Sequence, residues 1–155
     1  MGQGEVRTLI KRMKANDLIV IEADGCKLSR KGSKEFAKLR SKLPWTSKVR
    51  ASPLGIGPEC AAVLVRGAAK EVRKGIEQRD AAVRVGAVGA LTAIYSRGRF
   101  TLPGEETDSE REGPDELWSA ARAAGPGEGD VLIVVGAESP EVAELGSLAA
   151  ALTLI

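Results

Sequence analysis

Gly2-Gln3-Gly4-Glu5-Val6-Arg7-Thr8-Leu9-Ile10-Lys11-Arg12-Met13-Lys14 opens the chain and sets the reading of the residues after it. Val6, Leu9, Ile10 and Met13 recur at i, i+3, i+4 and i+7, a spacing that gathers them into one stripe of a helix. At about 100° per residue, Gly4, Thr8, Lys11 and Arg12 fall on the opposite face, with Arg7 and Lys14 on a flank. A helix that is apolar behind and basic in front suits a DNA major groove lined by phosphates. An ordinary amphipathic surface helix has the same pattern.

Beyond this helix, Leu18 to Ala23 reads as a strand rich in β-branched residues. Asp24-Gly25 is a hairpin signal, because a type I′ turn needs positive φ at both central positions. Cys26-Lys27-Leu28 returns as the partner strand. Ser29 is a good N-cap for a helix carrying Phe36, Leu39 and Leu43, and Pro44 stops it. Phe36, Leu39 and the inward residues of Leu18 to Ile21 are expected to cover part of the Val6–Met13 stripe. Burying each such side chain is worth roughly 1.5–3 kcal/mol, so a second copy is expected to cover the rest.

Composition narrows the possibilities. The 155 residues hold no histidine, which removes the usual general base, the Ser-His and Cys-His pairs and most zinc chemistry. An enzyme is therefore not expected, and neither is a cofactor or a metal. Cys26 and Cys60 are far apart and read as free thiols of a reducing cytoplasm. No apolar run is long enough to span a bilayer. The net charge of +2 hides a split: residues 1–50 carry 13 Lys/Arg against 5 Asp/Glu, and residues 51–155 carry 10 against 16. A basic module that meets a polyanion, followed by an acidic one that does not, accounts for this split. A basic surface that only keeps the protein soluble is the plainer account.

The second module begins after a Pro- and Gly-rich stretch, Pro44 to Pro58, which reads as a connector with at most one short strand near Lys48 to Ala51. Cys60 to Val65 is a buried strand, Ile76 to Val85 a helix, and Ala90 to Ser96 a strand paired through Arg97-Gly98 with Arg99 to Leu102. Residues 103–116 hold seven acidic side chains and read as a solvated loop. A helix from Pro114 to Ala124, the apolar strand Val131 to Val135, and a helix capped at Ser139 complete the chain. Val142, Leu145, Leu148 and Leu152 are expected to form the last helix's packed face. This order gives a sheet with helices on one face.

These residues carry a resemblance. Gly2 to Thr8 resembles the start of a winged helix-turn-helix recognition helix, and Leu28-Ser29-Arg30-Lys31-Gly32 resembles the step that follows the wing. The helices that precede a recognition helix have no counterpart here. The chain as a whole resembles archaeal proteins in which a winged-helix domain precedes a conserved domain of unknown function. Ile76 to Arg84, the following Gly86-Ala87-Val88-Gly89-Ala90, and Val131 to Pro140 carry that likeness. The second domain is also similar to the small insertion domain of bacterial aspartyl-tRNA synthetases. The resemblance implies an α+β protein: a partial winged helix-turn-helix over residues 1–46, then a two-layer α/β sandwich over 47–155.

The expected function is a cytoplasmic DNA-binding transcription regulator, homodimeric, with a second domain that senses a small-molecule effector or oligomerises. Arg7, Thr8, Lys11 and Arg12 would meet double-stranded DNA from the helix, and Lys27 from the wing. Arg79, Asp80 and Arg84 are candidate effector contacts, because Arg79 and Asp80 share a helical sector with Ile76 and Val83. Charges turned toward a sheet need partners; packing through Ala81, Ala82 and Val85 would leave them in water instead. Asp80 and Arg84 also form an i, i+4 pair on paper. Glu138 and Ser139 open the last helix, where anions bind and where a plain cap also fits. A protein–protein module without DNA binding and a small-molecule enzyme are the alternatives.

Overall fold

The computed structural model describes residues 2–50, 55–104 and 115–155. The chain divides into two compact units, Met1–Ser41 and Lys42–Ile155. Most of the acidic 103–116 stretch, Pro114 and Ala51 lie outside the described residues.

The first unit is α1 (Gln3–Ala15), the hairpin β1 (Ile19–Glu22) and β2 (Gly25–Leu28), and α2 (Arg30–Lys42), which runs one residue past the boundary. At the start of α1 the Gly2 amide donates to Glu5 Oε2 at 2.8 Å, satisfying one of the helix's unpaired donors. Ser29 caps α2 as expected: its Oγ accepts from the Gly32 amide at 2.9 Å and donates to the Asp17 carbonyl. The glycine of the Leu28–Gly32 step has a steric reason. A Cβ on Gly32 would lie 1.9 Å from the Leu18 carbonyl oxygen, which also accepts from the Ser29 amide at 3.0 Å.

The wing hairpin turns differently from the expectation. Glu22 pairs with Gly25, so the two loop residues are Ala23 and Asp24, and neither has positive φ. Glycine instead opens the returning strand with φ of 134°, a conformation that L side chains rarely adopt. The type I′ signature falls elsewhere, at Arg97-Gly98, with φ of 52° and 81°. The α1 stripe is covered in part: Ile10 and Met13 are half-buried and Ile19 is buried, while Val6, Leu9, Phe36 and Leu39 are exposed.

The second unit is a five-stranded antiparallel sheet in the order β3-β4-β7-β5-β6. Its strands are β3 (Trp45–Arg50), β4 (Glu59–Val65), β5 (Gly89–Ser96), β6 (Arg99–Thr101) and β7 (Val131–Ala137). The connector therefore contains a full edge strand, because Trp45 to Arg50 pairs residue by residue with β4. Helices α3 (Ile76–Arg84), α4 (Asp115–Ala123) and α5 (Pro140–Ala151) complete the unit. Val63, Val65, Val131, Ile133 and Val135 pack beneath Ala82 of α3 and Ala150 and Ala151 of α5. The alternate residues Ala62, Leu64, Leu132 and Val134 pack with Phe100 and with Leu117, Trp118 and Ala121 of α4. Helices thus cover both faces of the sheet, in three layers rather than the expected two. Every residue of β7 is buried for that reason.

Of the face expected for the last helix, Val142 packs inward against Ala61, Ala137 and Ala143, and the three leucines turn outward. α5 lays Ala143, Gly146, Ser147, Ala150 and Ala151 on the sheet, and Leu145, Leu148 and Leu152 are exposed. The strand residues beneath are bulky, and space above them is short. A Cβ on Gly146 would already lie 2.8 Å from Val135 Cγ1.

Candidate nucleic-acid interface and effector residues

Arg7, Thr8, Lys11 and Arg12 are all exposed on α1. The helix geometry gathers Thr8 and Arg12 with Gly4, Glu5 and Leu9 around one open depression of about 510 Å³. Thr8 Oγ1 donates back to the Gly4 carbonyl at 3.0 Å, which leaves its lone pairs as acceptors. Glu5 is the one acid among them, and its carboxylate is engaged by the Gly2 amide.

Lys27 sits on the wing in a different electrostatic setting. Its ammonium lies 2.5 Å from Glu22 and 3.2 Å from Asp24. Hydrogen bonds to Glu22 and then Asp24 hold its pKa above the ordinary 10.5. A phosphate would have to compete with two carboxylates, so Lys27 is a poorer contact than the α1 residues. The sequence reading passed over the most basic element. α2 carries Arg30, Lys31, Lys34, Lys38, Arg40 and Lys42 against the single acid Glu35. The local density of Lys and Arg was the available signal. Lys38 is paired with Glu35 at 2.9 Å, and Lys31 donates to the Asn16 carbonyl at 2.9 Å.

In the second unit, Arg79, Asp80 and Arg84 are exposed, and the packed side of α3 is Gln78 and Ala82. The charges are left in water, and Asp80 and Arg84 form no ion pair among the described residues. Glu138 is exposed, and Ser139 is a helix cap whose Oγ accepts from the Val142 amide at 3.4 Å. No hydrogen bond or ion pair among the described residues joins Glu138 or Ser139 to Arg79, Asp80 or Arg84. Two shallow cavities lie elsewhere. One, of about 400 Å³, is lined by Lys70, Glu71, Arg73, Glu77, Gln78 and Thr153. Gln78 is buried there; its Nε2 donates to Thr153 Oγ1 at 2.7 Å, and its Oε1 accepts nothing among the described residues. The other, of about 370 Å³, includes Lys70, Tyr95, Ser96 and Glu128 in its lining.

A strong polar site sits where β4 ends and β7 begins. Asp130, almost fully buried, accepts from Arg66 Nη1 at 2.5 Å, from the Gly67 amide at 2.9 Å and from the Gly127 amide at 2.8 Å. Arg66 also donates to the Gly125 carbonyl at 2.9 Å. Both oxygens of the Asp130 carboxylate are bonded, so the cluster ties the loop Gly125–Asp130 to the end of β4. Among the described residues, no helix is long and apolar enough to cross a membrane.

Taken together, the chain is an α+β protein of antiparallel sheets in two units, with exposed cations on the first and a doubly covered sheet in the second. It belongs to the DUF4443 family, a domain of unknown function, whose family model matches residues 56–154. In structure it is similar to the hypothetical protein PH0730 from Pyrococcus horikoshii OT3. The two share 25% sequence identity with a TM-score of 0.77, over 99% of this chain and 78% of that chain. No curated protein matches the chain. The expected likeness to archaeal proteins with a conserved domain of unknown function holds at that level.

Proposed function

We propose that the chain is a DNA-binding transcription regulator that works in the cytoplasm, binding rather than catalysing. In this reading the first unit is a partial winged helix-turn-helix: α1 is the recognition helix, β1 and β2 the wing, and α2 the helix that follows it. The observation that carries it is the exposure of Arg7, Thr8, Lys11 and Arg12 together on α1, in a unit whose other helix holds six cations. The second unit then dimerises, senses a small molecule, or does both. The 400 Å³ cavity over Gln78 has the size of a small-ligand site.

Binding to a mixed pool of duplex DNA, followed over a salt series, tests this. Affinity should fall with a log–log slope near −0.9 per phosphate neutralised. Lys11→Ala with Arg12→Ala should weaken it by about 1–3 kcal/mol for each base-reading side chain removed, and Lys27→Ala should weaken it less. Absence of salt-dependent binding would end the regulator reading. It would favour a protein-interaction module instead, which the exposed Val6, Leu9, Val20, Ile21 and Phe36 also support.

A further inference from the structure

On α5 and just beyond it, Leu145, Leu148, Leu152 and Ile155 follow at steps of three, four and three. Leu145 and Leu148 lie on α5, Leu152 opens the 3-10 turn Leu152–Leu154 that continues it, and Ile155 follows that turn. On α3, Ile76 and Val83 also point away from the sheet, with Arg79 and Asp80 between them. The six apolar side chains are 41% to 58% exposed. Single exposed leucines are ordinary, but a contiguous apolar face marks an interface.

The face is contiguous because α3 and α5 are antiparallel neighbours. Gln78 bonds Thr153 at one end. Ala82 Cβ stands 3.6 Å from where a Cβ on Gly146 would be, and Val142 stands the same distance from one on Gly86 at the other end. This register sets Arg79 and Asp80 level with Ala150.

We propose that this face docks a second copy of the same chain, about a two-fold axis that crosses both helices. The pattern is its own complement. Reversing α3 about the Arg79–Asp80 link lays Ile76 over Val83 of the second copy. Reversing α5 about Ala150 lays Leu145 over Ile155 and Leu148 over Leu152. Because the two centres are level, one axis serves both helices, as an isologous contact requires.

The charges agree with that arrangement. Arg79 and Asp80 make no ion pair within the chain among the described residues. At the axis each comes within reach of its opposite on the other copy. The contact gives the dimer of the proposed regulator its surface. Its test contains no DNA, so the two readings fail separately.

The test is sedimentation of the full chain beside Arg79→Asp, Asp80→Arg and their equimolar mixture. The unaltered chain should sediment as a dimer. Each variant alone sets four like charges at the axis and should raise the dimer dissociation constant by about a hundredfold. The mixture should restore the dimer, since two aspartates then face two arginines. Both positions are exposed, so the variants should keep their circular dichroism spectra; Leu148→Lys, which charges the seam itself, provides an independent break. A monomeric unaltered chain overturns the proposal. So does a dimer indifferent to these changes, or a mixture that stays monomeric.

Discussion

The two units of this chain are held together by different means. In the second, all seven residues of β7 are buried, and they pair on both sides with strands distant in sequence. In the first, the described residues up to Ser41 bury only Ile19 and Gly32. Its order comes from local contacts: the Gly2–Glu5 bond, the Ser29 cap, and the pairs Lys27–Glu22 and Lys38–Glu35. A cap is worth about 1 kcal/mol and an exposed ion pair about 0–1. Each fully buried large apolar side chain is worth roughly 1.5–3. Stability therefore resides in the second unit, and the first gives its surface to charge.

The most forceful way to break this contrast is to separate the halves. Residues 42–155 alone should unfold cooperatively, with slow amide exchange in β4, β5 and β7. Residues 1–41 alone should show little helix by circular dichroism. A cooperative transition in the shorter fragment would refute the division of stability drawn above.

A smaller effect sharpens the picture of the first unit. Gly32→Ala must push α2 away from Leu18, because the added carbon would lie 1.9 Å from its carbonyl oxygen, far inside van der Waals contact. Overpacking of this kind costs about 1–3 kcal/mol. The loss should appear in exchange rates of α2 amides while the melting of the second unit is unchanged. Equal destabilisation of both units would mean that they are coupled.

The smallest effect belongs to the second unit's own local contact. Glu128 accepts from Ser96 Oγ at 2.6 Å and from the Arg97 amide at 3.0 Å. These two bonds, the Ser96 one foremost, hold its carboxyl below the ordinary 4.5. A depressed carboxyl stabilises the fold above its unfolded value, and that contribution fades as pH falls through the folded value. Glu128→Gln should therefore be less stable than the unaltered chain at neutral pH, with the gap closing on acidification below 4.5. A gap independent of pH would show that the carboxylate's charge is not what holds the Arg97-Gly98 turn.

Much of the element order was legible, because strands such as Val131 to Val135 and helices such as Ile76 to Arg84 announce themselves by run and period. The sides they present were less so. The large residues of α5 mark an apolar stripe, yet hydrophobicity does not say whether a stripe faces the core or a partner. Room beneath the helix decided it, and that room depends on Val135 and its neighbours, which only the folded sheet places there. The third layer was missed for a related reason. β7 is apolar without alternation, and such a run fixes two covered faces only once the second cover is known. The α1 cations were found by their spacing, whereas the basic run on α2 was read only for its apolar residues.

The position of β7 also sets a timetable. It is the last strand made, yet it lies at the centre, with Glu59 paired to Ala137 on one side and Gly89 paired to Gly136 on the other. During synthesis β4 and β5 must wait, each with an open edge of unpaired amides and carbonyls, until about residue 137 has left the ribosome. Such long-range closure is slow compared with helix formation. A nascent chain halted before Val131 would thus be a pair of unfilled strand edges, and a natural client for a chaperone.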